Sequence, residues 1–252
     1  DYDADRAAVI ELSKSKGLKA IITCGPDPKD YKLTFDLVRK HPKFVFAVVG
    51  IHPEYVKKFS EEEITAAMAT IEQNRDKIVG IGETGLDYSY IIGEGRRERQ
   101  RQMFAKFIRL AKRLDLPIVV HLRNGEDKDE HDVFDDAFEI LEREGAKRVQ
   151  LHMFGSRRLV SRAIKNGWYI STNTICLRSK SYSKVVRDTP MERLMLETDA
   201  PWLHPSFDKE KRNDPTHVRE VAERVAEIKK INVADVVKQT TENAIGFFKL
   251  RI

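Results

Sequence analysis

Seven short apolar runs rich in β-branched residues recur along the chain, separated by stretches with the period of an amphipathic helix. They occupy residues 19–25, 45–52, 78–84, 117–123, 148–154, 168–174 and 194–200. Continuous apolar runs predict strands buried on both faces, because helical crossovers cover both sides of a parallel sheet. This alternation over 252 residues favours an α/β fold of the TIM (β/α)8 barrel type over an open doubly wound sheet.

The first predicted element is a helix rather than a strand. Val9, Ile10 and Leu12 belong to a helical pattern that ends at Gly17. A regular alternation requires a strand before this helix, so we expect the first barrel strand to precede Asp1. The chain contains no Gly/Ser-rich linker, repeat or low-complexity tract, and we therefore predict one TIM-barrel hydrolase domain over residues 1–252.

The composition excludes a membrane-embedded or disordered chain. Hydrophobic residues make up 41% and charged residues 34%, and no apolar run approaches the roughly 18 residues of a membrane span. Cys24 and Cys176 are too few for a disulfide framework or a thiolate zinc motif, so we expect reduced, buried thiols in a cytoplasmic protein. The net charge of +5 favours polyanionic partners only weakly, and it also fits a surface rich in ion pairs.

Two predicted helices have clear local signals. Ser60 and Glu63 form a capping-box pattern ahead of an apolar face that contains Ile64 and Ile71. Residues 96–114 place an apolar stripe on a second helix, at Met103, Phe104, Phe107, Ile108 and Ala111. The arginines that begin this second helix alternate with acidic residues, which is more typical of a solvated helix face than of a phosphate-binding track.

Polar side chains follow four of the predicted strands at or near their carboxyl ends, namely Glu83, His121, His152 and Asp199. The carboxyl ends of barrel strands build the active site, so these side chains are expected to converge. Imidazole and carboxylate are ligands of zinc and manganese, and the set predicts metal-assisted hydrolysis. Taken singly, each histidine could be a satisfied core residue, and Asp199 could cap a loop.

Five short motifs in chain order resemble the signatures of the TatD family of metal-dependent deoxyribonucleases, a TIM-barrel branch of the amidohydrolase superfamily. They are Gly50-Ile-His-Pro53, Gly82-Glu-Thr-Gly-Leu-Asp87, Val120-His-Leu-Arg123, Glu197-Thr-Asp-Ala-Pro-Trp202 and Arg212-Asn-Asp-Pro215. The resemblance continues to residues 241–248 and so covers essentially the whole chain.

The resemblance implies 3′-to-5′ exonuclease activity on DNA, especially single strands, with two divalent ions (Mg²⁺, Mn²⁺ or Zn²⁺). By the same resemblance, Glu83 bridges both ions, while His121 and His152 bind one of them. Asp199 binds or faces the other ion and acts on the attacking water, which makes Glu83 and Asp199 the catalytic pair. His52 and Arg123 are expected to contact the scissile phosphate.

Two departures from the family pattern keep alternatives open. The His-x-His pair that normally ends the first strand is absent from the sequence, and we expect it upstream of Asp1. Residues 152–156 read His-Met-Phe-Gly-Ser, where the family usually has His-Cys-Phe-Ser-Gly. The alternatives are a hydrolase of another ester or amide, such as an aminoacyl-tRNA ester, and a catalytically impaired scaffold. Arg123 could instead pair with Glu83 or Asp87, and His52 could be a structural turn residue.

Overall fold

The computed structural model describes residues 2–89, 93–126 and 132–252, in which helices and strands alternate as predicted. The strands are β1 (Ile21–Gly25), β2 (Val45–Val49), β3 (Gly80–Asp87), β4 (Ile118–Arg123), β5 (Val149–Leu151), β6 (Tyr169–Thr172) and β7 (Leu194–Leu196). The helices are α1 (Arg6–Ser15), α2 (Tyr31–Lys40), α3 (Glu61–Gln73), α4 (Glu94–Arg113), α5 (Val133–Arg143), α6 (Val160–Lys165), α7 (Lys180–Asp188), α8 (Val218–Lys229) and α9 (Val233–Phe248).

Most strand boundaries lie inside the predicted runs, and two differ in ways that bear on the site. Strand β3 continues past Thr84 to Asp87, because its second half stays paired with β4 as far as Arg123. Strand β7 ends at Leu196, so Asp199 lies in the loop that follows rather than in the strand.

The chain divides into two compact units. The first unit comprises Ile22–His152 and Phe247–Arg251, and the second comprises the residues up to Ile21, Met153–Gly246 and Ile252. The prediction of one domain over residues 1–252 stays a prediction.

In the first unit, strands that are consecutive in the chain are neighbours in a parallel sheet, ordered β1-β2-β3-β4-β5. The register aligns Val48 with Gly80 and Val120 with Leu151. Helix α4 packs on β3, and α5 packs on β4. The predicted apolar stripe of α4 is buried, as are Ile64 and Ile71 on α3. Burial on both sides of the strands fits the continuous apolar runs in the sequence.

Helix α3 has the local start that the sequence predicts. The Ser60 side chain accepts a hydrogen bond from the Glu63 backbone, and the Glu63 side chain accepts one from the Ser60 backbone. On α4, in contrast, the expectation of a fully solvated basic start is wrong for Arg97. Its side chain is buried, with the guanidinium 5.1 Å from the ring centre of Tyr88.

In the second unit, β6 pairs in parallel with β7, aligning Ile170 with Leu194. Helix α8 packs on β7 and on α7. Trp168 is almost completely buried, and Asn243 on α9 donates hydrogen bonds to the carbonyls of Met191 and Leu194. None of the helices in the described ranges combines the length and apolar character needed to cross a bilayer.

Candidate metal centre

Strands β3 and β4 of the first unit bring two acidic side chains to one histidine. Glu83, Gly85 and Asp87 are alternate residues of β3 and therefore share one face, with Gly85 paired to His121 of β4. A Cβ atom on Gly85 would lie 2.1 Å from the His121 carbonyl oxygen, and the Gly85 φ is 144°. Only glycine allows this approach. Because Gly85 is paired with His121, the carboxylates of Glu83 and Asp87 lie along β3 on either side of the His121 position.

The carboxylate of Glu83 faces a different imidazole with each of its oxygens. Its Oε2 lies 3.8 Å from Nδ1 of His121, and its Oε1 lies 3.8 Å from Nε2 of His152. These separations are too long for hydrogen bonds, but two ligands of one ion lie up to about 4.2 Å apart, twice a ligand bond of about 2.1 Å. The spacing of these donor atoms therefore fits the binding of a divalent cation.

His121 is oriented by the buried carboxylate of Asp87. Nε2 of His121 lies 3.0 Å from Oδ2 of Asp87. Burial alone would raise the pKa of Asp87, but hydrogen bonds from His121 and Ser89 outweigh it and hold this pKa below its ordinary value. An ionised carboxylate only accepts, so Nε2 of His121 donates the hydrogen bond; in the neutral tautomer that results, the lone pair lies on Nδ1, which faces Glu83. This carboxylate–histidine pairing is typical of metal sites.

Gln100 of α4 fixes the backbone on two sides of the site. Its Oε1 accepts a hydrogen bond from the Asp87 backbone N–H at 2.9 Å. Its Nε2 donates to the carbonyls of Asp87 and Pro53, at 3.0 and 2.9 Å. The Gln100 side chain is fully buried, and it therefore joins the end of β3 to the segment that carries His52.

His52 directly precedes the 3₁₀ turn Pro53–Lys58, and its Nδ1 accepts a hydrogen bond from the Glu54 backbone at 3.3 Å. Its ring meets the His121 ring edge-on, with centroids 4.3 Å apart. Burial, together with the neighbouring His121, lowers the pKa of His52 to about 3. The ring is therefore neutral near pH 7, and its remaining nitrogen, Nε2, carries the proton. A donor suits a phosphate oxygen better than a metal ion.

One ligand atom from each of His52, Glu83 and His121 lies within 4.8 Å of the others. Glu83 and Asp87 supply the carboxylates of this part-buried cluster, in which the pKa of Asp87 is lowered and the His52 ring is neutral. Carboxylate and imidazole atoms at this spacing are suited to holding a divalent cation. Nitrogen and carboxylate ligands suit Zn²⁺ and Mn²⁺, which agrees with the chemistry expected from the sequence.

Two further residues of the first unit, Arg123 and Cys24, lie near the metal centre. Arg123, predicted to contact phosphate, lies exposed at the end of β4, level with Asp87 in the register. The guanidinium also contributes to the lowered pKa of His52. The Sγ atom of Cys24 on β1 accepts a hydrogen bond from the Glu83 backbone N–H at 3.0 Å. Cys24 is half-buried, so the expectation of a buried thiol is confirmed for Cys176 and is wrong for Cys24.

Asp199 belongs to the second unit, in the loop after β7, where its φ of 58° lies in the left-handed region. Asn213 organises this loop by donating hydrogen bonds to the carbonyls of Thr198 and Trp202, both at 2.6 Å, and of Leu203 at 3.2 Å. The Arg212–Pro215 motif therefore has a structural part in presenting the Asp199 loop. The catalytic and metal-binding role of Asp199 stays a prediction.

The sequence matches known hydrolases along its whole length. The profile of the family described as TatD related DNase matches residues 1–249. The chain is 32% identical to Deoxyribonuclease TATDN3 of Homo sapiens, covering 100% of this chain and 92% of that protein. It is also 32% identical to the uncharacterized metal-dependent hydrolase YabD of Bacillus subtilis, covering 99% and 94%. The 3'-5' ssDNA/RNA exonuclease TatD of Erwinia tasmaniensis is 29% identical, with coverage of 99% and 95%.

The fold is likewise similar to a solved structure. The crystal structure of YJJV, a TatD homolog from Escherichia coli, matches with a TM-score of 0.86 and 23% identity, covering 99% of this chain and 94% of that one. This likeness confirms the TIM-type α/β fold class predicted from the sequence. The profile match and the human relative lead to one conclusion: the chain belongs to the family of TatD-related DNases and is a hydrolase acting on ester bonds.

Proposed function

We propose that this protein is a DNase, dependent on two divalent metal ions, that removes nucleotides from the 3′ end of single-stranded DNA. The observation that carries the proposal is the carboxylate of Glu83, which faces His121 with one oxygen and His152 with the other. A relative with 29% identity is named a 3'-5' ssDNA/RNA exonuclease, which supports the choice of strand and polarity.

In the proposed mechanism, Glu83, His121 and His152 hold the ions. Divalent ions at such a site supply an activated water near neutral pH and offset the charge of the phosphate. Asp87 keeps the His121 ring in the tautomer whose Nδ1 lone pair faces Glu83. Asp199 takes the proton of the attacking water, the role that the family resemblance implies.

His52 and Arg123 bind the scissile phosphate in this proposal. Nε2 of the neutral His52 ring donates a hydrogen bond to a phosphoryl oxygen, since its Nδ1 is already engaged by the Glu54 backbone. The exposed Arg123 guanidinium adds a charged donor whose fork suits phosphate geometry. In these roles both side chains would stabilise the negative charge that develops as the bond to the leaving oxygen breaks.

The test is hydrolysis of single-stranded oligonucleotides labelled at either end, assayed with Mg²⁺, Mn²⁺ and Zn²⁺ and with a chelator. A 3′ label should be released first as a mononucleotide, and the chelator should abolish release. Glu83→Gln should reduce the rate to that of a reaction without protein. Glu72→Gln, the same change at an exposed residue paired with Arg113, should leave it unaltered.

The same metal ligands could also serve the hydrolysis of other substrates, and these substrates test the alternatives to a DNase. Aminoacylated tRNA and a nitrophenyl phosphodiester are assayed beside the oligonucleotides. Turnover of aminoacylated tRNA without release of nucleotides would contradict the DNase proposal in favour of another ester hydrolase. Failure with all substrates in every metal would contradict it in favour of a scaffold.

We also propose a cytoplasmic location. Both cysteines are free thiols, and reduced thiols are the normal state in the cytosol. Recovery of the protein in a membrane or secreted fraction of the producing cell would contradict this.

A further inference from the structure

A positively charged groove lies in the second unit, between α7 and α8. Its volume is about 330 Å³, and its lining consists of Arg178, Lys180, Ser183, Lys184, Arg187, Arg224 and Ile228. Five of these seven side chains are cationic, and none is acidic. The groove shares no residue with the metal centre.

The helical period explains why these charges converge. Lys180, Lys184 and Arg187 are spaced by four and three residues on α7 and therefore lie on one face. Helix α8 packs against α7 and contributes Arg224 and, four residues later, Ile228. Arg178 precedes α7, and its guanidinium stacks 3.8 Å from the ring centre of Phe207. Two helices and a preceding turn thus supply the cations of a single groove.

The groove keeps an excess of positive charge. Arg187 pairs with Asp188 at 3.2 Å, and Arg224 pairs with Glu227 at 2.8 Å. Within the described ranges, Lys180 and Lys184 have no carboxylate within 4.0 Å, and both are exposed. Neighbouring like charges repel, so a bound anion would relieve this repulsion.

A second groove of the molecule shows that charged clefts in this protein are not all alike. The groove between α4 and α5 of the first unit has a volume of about 490 Å³. Its Arg101 pairs with three carboxylates, those of Glu94, Glu98 and Asp136. In that cleft Arg101, Lys106 and Arg109 each pair with a carboxylate, whereas among the described residues Lys180 and Lys184 of the groove between α7 and α8 do not.

We propose that the groove between α7 and α8 is a binding site for the phosphodiester backbone of single-stranded DNA. Lysine and arginine contacts to phosphates are independent of base sequence and supply most of the affinity of non-specific binding. The choice of DNA rests on the proposed function, and the site extends that function by holding the strand through residues that take no part in hydrolysis.

The test measures binding without turnover. A fluorescent oligothymidylate with phosphorothioate linkages, which resist hydrolysis, is titrated with the metal-loaded protein, and its anisotropy is recorded from about 50 to 200 mM salt. Lys180→Gln/Lys184→Gln removes two phosphate contacts, which should lower the slope of log K against log salt by about 1.4. The wild-type protein should then lose about sevenfold more affinity than the variant over this salt range.

Lys165→Gln/Lys238→Gln is the matched control, because it makes the same change of net charge at two exposed lysines of the second unit that do not line the groove. Its salt slope should equal that of the wild type. Equal slopes for all three proteins, equal losses in the two variants, or no binding by the wild type would each overturn the proposal. Hydrolysis of an unmodified oligonucleotide is followed separately, so failure of the proposed DNase activity is distinguishable from failure of the groove to bind.

Discussion

Replacing Asp87 by Asn should weaken metal binding through the tautomer of His121. Oδ1 of Asp87 accepts hydrogen bonds from Ser89, while Oδ2 faces Nε2 of His121 at 3.0 Å. If the Asn oxygen keeps the Ser89 bonds, its NH₂ group must face His121. The ring then carries its proton on Nδ1, and the lone pair that faced Glu83 is lost.

The size of the effect follows from losing the charge-assisted hydrogen bond in which His121 donates to Asp87. A bond to a charged partner contributes about 1.5–3 kcal/mol, which corresponds to roughly a 10- to 150-fold change in affinity. Changes behind metal-ligating histidines typically cost about 10- to 100-fold in metal affinity. We therefore expect the Kd for Mn²⁺ to rise by about 10- to 100-fold, with a small effect on folding because the side chains are nearly isosteric.

The assay is calorimetric titration of Mn²⁺ into protein stripped of metal, with unfolding midpoints measured in parallel. Asp115→Asn is the control, because it removes the same charge in the same unit at an exposed residue paired with Arg148 and Lys249. An Asp87→Asn variant that binds Mn²⁺ within twofold of the wild type would contradict the proposed role of Asp87 in orienting His121, as would an equal loss in Asp115→Asn.

Three further predictions concern the framework. Gly85→Ala should destabilise the protein by about 3 kcal/mol or more in urea unfolding, because the added Cβ would clash with the His121 carbonyl. Gly95→Ala, in open space on α4, should instead stabilise it by about 0.5–1 kcal/mol. Equal effects of the two changes would contradict the close approach of Gly85 to the His121 carbonyl. Ser60→Ala should cost about 1 kcal/mol through the lost capping box, and Ser15→Ala, at the exposed end of α1, much less; similar losses would argue against the cap. Burial raises the pKa of Cys176 to about 11, so iodoacetamide at pH 9 should modify Cys24 first, as read by mass spectrometry. The protonated Cys176 thiol's contribution to stability should be lost between about pH 9 and 11, because in this range only the unfolded chain releases the proton. Rapid labelling of Cys176 in the folded protein would contradict its burial.

Periodicity and strand-end position were enough to predict much of this molecule. The apolar runs identified the strands because a strand buried on both faces is apolar along its whole length and does not alternate between polar and apolar residues. Glu83 and His121 were expected together because each lies near the carboxyl end of a strand, and the structure places them 3.8 Å apart.

The sequence did not predict contacts that depend on how two strands are aligned or on which element packs against a helix. Asp87 shares a strand face with Glu83, a spacing that hinted at its role, but its pairing with His121 follows from the alignment of β3 with β4. Gln100 is a polar residue in line with the buried stripe of α4, which was a usable signal for a structural role. Its two backbone partners became evident only from the packing of α4.

Arg97 shows the limit of charge patterns. Its neighbours in sequence suggested a solvated face, yet the aromatic ring of Tyr88 covers it. A pattern of alternating charges in the sequence does not show which side chains will pack against a given arginine.

The central claim is that Glu83 shares divalent ions with His121 and His152. The most direct measurement is an anomalous difference map from crystals of the protein soaked in Mn²⁺, collected for the wild type and for Glu83→Gln. We expect wild-type density at coordinating distance from Glu83 and from at least one of the two imidazoles, and its loss in the variant. Density bound elsewhere, or density that persists unchanged in Glu83→Gln, would contradict it.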